Sequence, residues 1–341
     1  MRGRCLPRIT RDSDTAMGPR IPGIHHVTAI AGAAQSNVDF YTGFLGLRLV
    51  KRTVNFDDPE TYHLYYGDEL GRPGSILTFF PWPDAFQGKS GMGMASSVTF
   101  AIPPGAIDYW MGRFADEGRP FDAPVIRFGR PVIVFEDPDG LQIELTEEPE
   151  IPSEIESLSG WTSPVPEEAA IRHFHSVTLG IANPELTIRL LEDTFGYRMV
   201  GEEGGRLRFS SAPGQPGHLI DLVRPDPLMY GRMGKGVIHH IAFRAKDDEE
   251  QAYWQEQLRS RGFSVTPVRD RQYFRSIYFR EPGGVLFEIA TDVPGFTRDE
   301  APDKLGSSLK LPEWLEPRRE SLQKRLPELN VPNVSISVGR P

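Results

Sequence analysis

Gly23-Ile24-His25-His26-Val27-Thr28-Ala29-Ile30 is a run of apolar and β-branched residues that carries a histidine doublet and predicts a β-strand. Val38, Tyr41, Phe44 and Leu45 follow at helical spacing, Gly46 is placed to end that helix, and Leu47-Arg48-Leu49-Val50 begins a second strand. The same order returns in the second half of the chain. His175-Ser176-Val177-Thr178-Leu179 predicts a strand, Asn183-Pro184 an N-cap with proline at the first helical position, and Leu186, Leu190, Leu191 and Phe195 a helical stripe closed by Gly196. Leu45-Gly46-Leu47-Arg48-Leu49-Val50 then matches Phe195-Gly196-Tyr197-Arg198-Met199-Val200 in pattern and place.

A second pair of segments is related in the same way. Ser97-Val98-Thr99-Phe100 leads to a helix with Tyr109-Trp110 that ends near Gly118; His240-Ile241-Ala242-Phe243 leads to one with Tyr253-Trp254 that ends near Gly262. The strands that follow agree best: Phe135-Glu136-Asp137-Pro138-Asp139-Gly140-Leu141-Gln142-Ile143-Glu144 aligns with Phe279-Arg280-Glu281-Pro282-Gly283-Gly284-Val285-Leu286-Phe287-Glu288. In each, a Pro/Gly turn launches a short strand that contains a glutamate. The chain therefore reads as four units, 22–82, 93–148, 170–225 and 235–292, each a strand, a helix and about three strands. These group into an N-terminal domain (21–150) and a C-terminal domain (170–292), joined by a Pro/Glu/Ser-rich linker at 151–169. Residues 1–20, rich in arginine and without an apolar core, predict a disordered extension, with Met17 an alternative start. The tail, 293–341, is polar, but Leu311, Trp314 and Leu315 predict that it packs against the body.

Composition narrows the function. A hydrophobic content of 39% with 25% charged residues is that of a globular chain, and no apolar run is long enough to span a membrane. The net charge of -9, without a basic stripe, argues against nucleic acid. Cys5 is the only cysteine, which excludes an intrachain disulfide and a cysteine-rich zinc site and fits a reducing, cytoplasmic setting.

Glu288 sits in the apolar strand Val285-Leu286-Phe287-Glu288-Ile289-Ala290, where a bare buried carboxylate is costly. Taken alone it reads as a solvated strand position. His26 and His240 change that reading, because each ends a His-His doublet in the first strand of its unit. Two imidazoles and one carboxylate supply three ligands on one face of a divalent metal and leave three positions open, the arrangement of non-haem Fe(II) oxygenases. His175 competes for the role of His26. Aligning Val27-Thr28 with Val177-Thr178 puts His175 opposite His25 and Ser176 opposite His26, so a one-residue slip would be needed; His26 is preferred. The remaining set, Ser97, Ser176 and Glu144, lacks both histidines.

The repeated units, the opening His-His-Val-Thr and Tyr278 ahead of Glu288 resemble the vicinal oxygen chelate superfamily. The stretches Tyr62-His63-Leu64-Tyr65-Tyr66-Gly67-Asp68-Glu69 and Arg271-Gln272-Tyr273-Phe274-Arg275-Ser276-Ile277-Tyr278 resemble its dioxygenases that open hydroquinones and chlorohydroquinones. The resemblance implies an α+β fold of four βαβββ modules forming two curved mixed-sheet cups. It implies Fe(II), with Mn(II) as the alternative, held by His26, His240 and Glu288. It places His25, His239, Arg271 and Tyr278 against substrate or bound oxygen, and it names a small aromatic diol and O2 as reactants. Strand alternation, in contrast, points His25 and His239 away from His26 and His240. Self-association into a homo-oligomer stays open.

Two other functions compete. A glyoxalase-like isomerase on this scaffold uses a fourth ligand, a glutamate in the strand corresponding to Ser75-Ile76-Leu77-Thr78-Phe79-Phe80, which carries no carboxylate. A binding or resistance protein that sequesters an aromatic compound would not need the intact triad. Phe79, Phe80, Trp82 and Tyr273 could supply either pocket wall or core.

Overall fold

Each repeat folds as a strand, a helix and three strands. In the first these are β1 (Ile24–Ala31), α1 (Ala34–Val38), β2 (Arg48–Asn55), β3 (Asp58–Gly67) and β4 (Ile76–Pro81). The second has β5 (Met94–Ile102), α2 (Ile107–Asp116), β6 (Val125–Arg127), β7 (Arg130–Glu136) and β8 (Gln142–Glu147). The third has β9 (His173–Gly180), α3 (Glu185–Arg189), β10 (Arg198–Glu203), β11 (Arg206–Ser210) and β12 (Leu219–Val223). The fourth has β13 (Val237–Ala245), α4 (Asp248–Ser260), β14 (Arg269–Asp270), β15 (Arg275–Arg280) and β16 (Leu286–Thr291). The computed structural model describes residues 19–149, 163–226 and 229–331. Most of the predicted extension and of the 151–169 linker lie outside the described residues.

The modules pair across the halves of the sequence. One eight-stranded sheet runs β14-β15-β16-β13-β1-β4-β3-β2 and joins the fourth module to the first; the other runs β10-β11-β12-β9-β5-β8-β7-β6 and joins the third to the second. Each is mixed and curved into a cup, with an antiparallel seam between the first strands of its two modules, β1 with β13 and β5 with β9. The helices join the halves differently. Phe44 meets Phe114 of α2 at 4.9 Å between ring centres, and Phe195 meets Trp254 of α4 at 5.8 Å. Modules adjacent in sequence thus share helix contacts, while the sheets tie the two halves together.

The helices of the odd modules are not plain α-helices. α1 and α3 each run on into π turns, Asp39–Phe44 and Leu190–Thr194, before Gly46 and Gly196 at positive φ. The wider turn rotates the buried face, so Leu190, Leu191 and Phe195 are buried while Leu186, predicted on the same stripe, is 58% exposed. Asn183 does not cap α3; Pro184 occupies the N-cap position and makes no side-chain cap bond.

The tail straps the first cup. Phe296 and Leu305 pack with Val50, Tyr65 and Tyr273, and Leu309 bridges to Arg52. Leu311 and Leu315 are buried as expected, whereas Trp314 is half exposed against Phe56. Lys51, fully buried, points into this seam and bonds Asp299 at 2.6 Å and Glu300 at 2.5 Å.

Candidate metal centre

The sheet register assembles the site. His26 on β1 pairs with Ala242 on β13, Ala242 with Glu288 on β16, and Glu288 with Tyr278 on β15, one row across four strands. His240 stands two residues before Ala242 and so shares its face. The result is a buried cluster in which ligand atoms of His26, His240 and Glu288 lie within 4.8 Å of one another. Glu288 Oε2 is 2.9 Å from His240 Nε2 and 3.5 Å from His26 Nε2.

Two β-bulges explain the doublets. The β1–β13 register skips His25 on one strand and His239 on the other. An extra residue in a bulge leaves the strict alternation, so each doublet turns both rings toward each other. The Nδ1 atoms of His25 and His26 are 2.9 Å apart, and those of His239 and His240 are 2.8 Å apart. Were Nε2 of His26 and His240 to ligate a cation, Nδ1 of each would carry the proton and donate it to the neighbouring ring, which would fix tautomer and ring plane.

This donor set fits a divalent cation. Glu288 Oε2 is buried and has no aligned hydrogen bond, while Ser276 Oγ donates to Oε1. Burial alone would raise the Glu288 carboxyl, but His26 and His240 outweigh it and hold it well below the usual carboxylate range. Burial lowers His240, partly offset by Glu288. It also lowers His25 well below the ordinary imidazole value and, with His240 beside it, brings His239 to about 3. His25, His239 and His240 are therefore neutral near pH 7, the form a metal ligand or its hydrogen-bond partner takes.

The cluster opens on a cavity of about 490 Å³ lined by His26, His240, His63, Phe80, Trp82 and Phe274 among others. His239, Arg271 and Tyr278 also line it; His25 does not, and lies behind His26. Arg271 donates through Nε to the Tyr278 hydroxyl at 3.2 Å and through Nη2 to Asp57 at 2.9 Å. Burial raises the Tyr278 phenol and Glu288 adds to the rise, so it keeps its proton near pH 7. Burial alone would lower Arg271, but Tyr278 and Asp57 raise it further. Of the aromatic candidates, Phe80 and Trp82 line the cavity, whereas Phe79 and Tyr273 belong to the core.

Sequence reasoning singled out neither His63 nor Asp57. His63 receives hydrogen bonds or donates them at both ring nitrogens, to Thr78 Oγ1 at 2.8 Å and to the Tyr65 hydroxyl at 2.8 Å, and its ring lies 4.4 Å from that of Phe80. The alternation in Tyr62-His63-Leu64-Tyr65-Tyr66 would have put His63 and Tyr65 on one face, opposite Leu64 and Tyr66.

His175 lies in the other cup, where its Nδ1 meets Ser176 Oγ at 3.1 Å. There Glu144 pairs with Arg127 at 2.7 Å and Asp221 with Arg206 and Arg208, leaving an interior of about 10 Å³. Among the described residues, His26, His240 and Glu288 are the cluster with metal-binding geometry.

Four βαβββ modules in two cups, with one histidine–carboxylate cluster, define a member of a known class: over residues 23–145 and 173–289 the chain matches, and belongs to, the Glyoxalase/Bleomycin resistance protein/Dioxygenase superfamily. It is 47% identical over 311 residues (91% of this chain, 97% of the relative) to the Bacillus subtilis protein named "Putative ring-cleaving dioxygenase MhqO". It is 35% identical over 314 residues (90% and 96%) to the chlorohydroquinone/hydroquinone 1,2-dioxygenase of Sphingobium indicum. A crystal structure titled as a "putative dioxygenase" from Bacillus subtilis superimposes with a TM-score of 0.86 at 46% identity, covering 92% of this chain and 98% of that one. Glyoxalase I from Zea mays shares the fold alone, with a TM-score of 0.59 at 13% identity over 79% of this chain and 92% of that one. Among the described residues, no helix is long and apolar enough to cross a membrane.

Proposed function

We propose that this chain is an iron(II)-dependent dioxygenase that opens the ring of a hydroquinone- or catechol-type diol with O2, with His26, His240 and Glu288 as the metal ligands. Mn(II) is the alternative ion. The observation that carries the reading is the convergence of three buried ligand atoms on an aromatic-walled cavity of about 490 Å³, a size that suits a single substituted ring. The names of the relatives point to the same chemistry. When bound, iron(II) supplies open coordination positions at which a diol and dioxygen meet.

The chain's own residues do the rest. Phe80, Trp82 and Phe274 offer flat apolar surface to a ring and exclude water. Tyr278, protonated near pH 7, donates from its hydroxyl to an oxygen of substrate or dioxygen, and Arg271 beside it offsets negative charge as a diol ionises. His239, which accepts the His240 proton on Nδ1, carries its own on Nε2 and can hand it over the cavity. The bond broken is assigned next to one hydroxylated carbon, the extradiol sense; in a 1,4-diol the C1–C2 bond meets that description.

A glyoxalase-like isomerase would place a fourth ligand, a carboxylate, on β4. Thr78 stands there, paired with Thr28 as Glu288 is paired with Ala242, and its hydroxyl is spent on Thr28 and His63. Protein loaded with Fe(II) under anaerobic conditions is expected to consume O2 with hydroquinones or catechols, and His240→Ala to abolish the uptake. Uptake that survives His240→Ala in oxygen-electrode traces would overturn the assignment.

A further inference from the structure

The two cups carry the same arginine in different places. Arg127 and Arg271 stand at the same sequence distance before Glu144 and Glu288, and each precedes a non-glycine residue at positive φ, Phe128 at 47° and Gln272 at 71°. In the second cup Arg127 lies on the glutamate, Nη1 to Oε2 at 2.7 Å, and Thr99 Oγ1 donates to the same oxygen at 2.8 Å. In the first cup Arg271 is instead held by Tyr278 and Asp57, and Glu288 is left facing the two histidines.

Both restraints are missing where the arginine has collapsed. Val134 pairs with Glu144 as Tyr278 pairs with Glu288, so a valine stands in the tyrosine's place. Asn55 pairs with Asp58 and Glu203 with Arg206, so the hairpins turn at Phe56-Asp57 and at Gly204-Gly205; the matching bulges at Leu49/Lys51 and Met199/Gly201 put Glu203 level with Thr53, so the second cup's hairpin turns two residues earlier. The Gly204-Gly205 turn therefore stops short of the level of Asp57 and has no carboxylate of its own, and the adjacent Glu203 is engaged by Phe128 N.

We propose that Asp57 is a positioning residue which, together with Tyr278, holds Arg271 off Glu288 and so keeps that carboxylate free for a cation. The inference rests on the metal-site reading given above. A guanidinium within reach of a buried carboxylate forms a strong charge-assisted bond, and it competes with a divalent ion for the same oxygens. The turn that carries Asp57 is itself pinned. Asp57 N donates to Asn55 Oδ1 at 3.0 Å, Asp58 Oδ2 accepts from Trp82 Nε1 at 2.9 Å, and the Phe56 ring rests on Trp314 at 5.6 Å. The Asp57 side chain is 62% exposed, so its ion pair adds little to stability and its contribution is geometric.

The test is Mn(II) affinity, read from the paramagnetic resonance signal of the free ion, with no substrate or turnover. Asp57→Asn is expected to weaken binding about three- to ten-fold, and Asp57→Glu to keep it within about two-fold. Asp57→Asn combined with Tyr278→Val should weaken it by more than about thirty-fold. Adding Arg271→Ala to that pair should restore most of the affinity, which general damage to the fold would not allow. Variants that bind Mn(II) like the wild type, or a loss that Arg271→Ala fails to reverse, would overturn the role of Asp57 alone. Wild-type protein that binds no Mn(II) would overturn the metal site and this inference together.

Discussion

A histidine added as the extra residue of a bulge lies beside its neighbour, and that displacement separates what could be read at the residue scale from what could not. That His26, His240 and Glu288 come together was legible because the repeat puts the two histidines at matching points and a carboxylate in an apolar strand demands a partner. The orientation of His25 and His239 was not, since alternation holds only for regular register and nothing local in the sequence marks either bulge. Asp57 and His63 were missed for a related reason: their partners, Arg271 and Thr78, are distant in sequence and reach them only through the sheet. His173 shows how a buried imidazole outside the site acts on stability. Its Nδ1 donates to the Phe174 carbonyl at 2.8 Å, its Nε2 has no partner, and burial lowers it from 6.5 to about 4. A depressed imidazole is neutral in the fold, so the unfolded chain binds the extra proton first. Its stability contribution is complete above pH 6.5 and is lost as pH falls toward 4. Chemical denaturation across that window should show a loss of up to about 3 kcal/mol that His173→Gln removes; an unchanged acid slope in the variant would refute it.

At the scale of elements, the first strands, the Pro/Gly turns and the glycine helix stops followed from pattern alone. The π turns did not, because apolar spacing does not distinguish a wide turn from a regular one over a single turn of helix. Leu186 lies on the solvent side for that reason. Gly46, which ends the first of these helices, has φ of 71°, and a Cβ there would come 2.7 Å from Val165 Cγ2 and 2.6 Å from Ser163 Oγ. Gly46→Ala should therefore cost about 1–3 kcal/mol through backbone strain and displacement of Ser163 and Val165 at the end of the linker. A denaturant midpoint within error of wild type, at unchanged slope, would contradict this. Gly43, only three positions earlier, has nothing within 4 Å of an added Cβ and serves as the control substitution.

At the scale of the whole molecule, four repeats were legible but their partnership was not a local property. Internal similarity shows that modules one and three, and two and four, are alike; the seams that join one to four and two to three form only in three dimensions. That pairing brings His26 to His240 and sends His175 to a cup filled by arginine–carboxylate pairs. The tail completes the first cup through Lys51, buried between Asp299 and Glu300. Lys51→Ala would leave those acids facing the seam without their cation, and should lower stability by about 3–5 kcal/mol, measured by equilibrium unfolding; a loss under about 1 kcal/mol would mean that the strap is held by its apolar contacts instead. The central claim concerns where the metal sits. Diffraction data collected above and below the iron absorption edge, from crystals grown with Fe(II) under anaerobic conditions, should show one anomalous peak enclosed by His26 Nε2, His240 Nε2 and Glu288. A peak beside His175 and Glu144, or none between the two histidines and Glu288, would contradict the account.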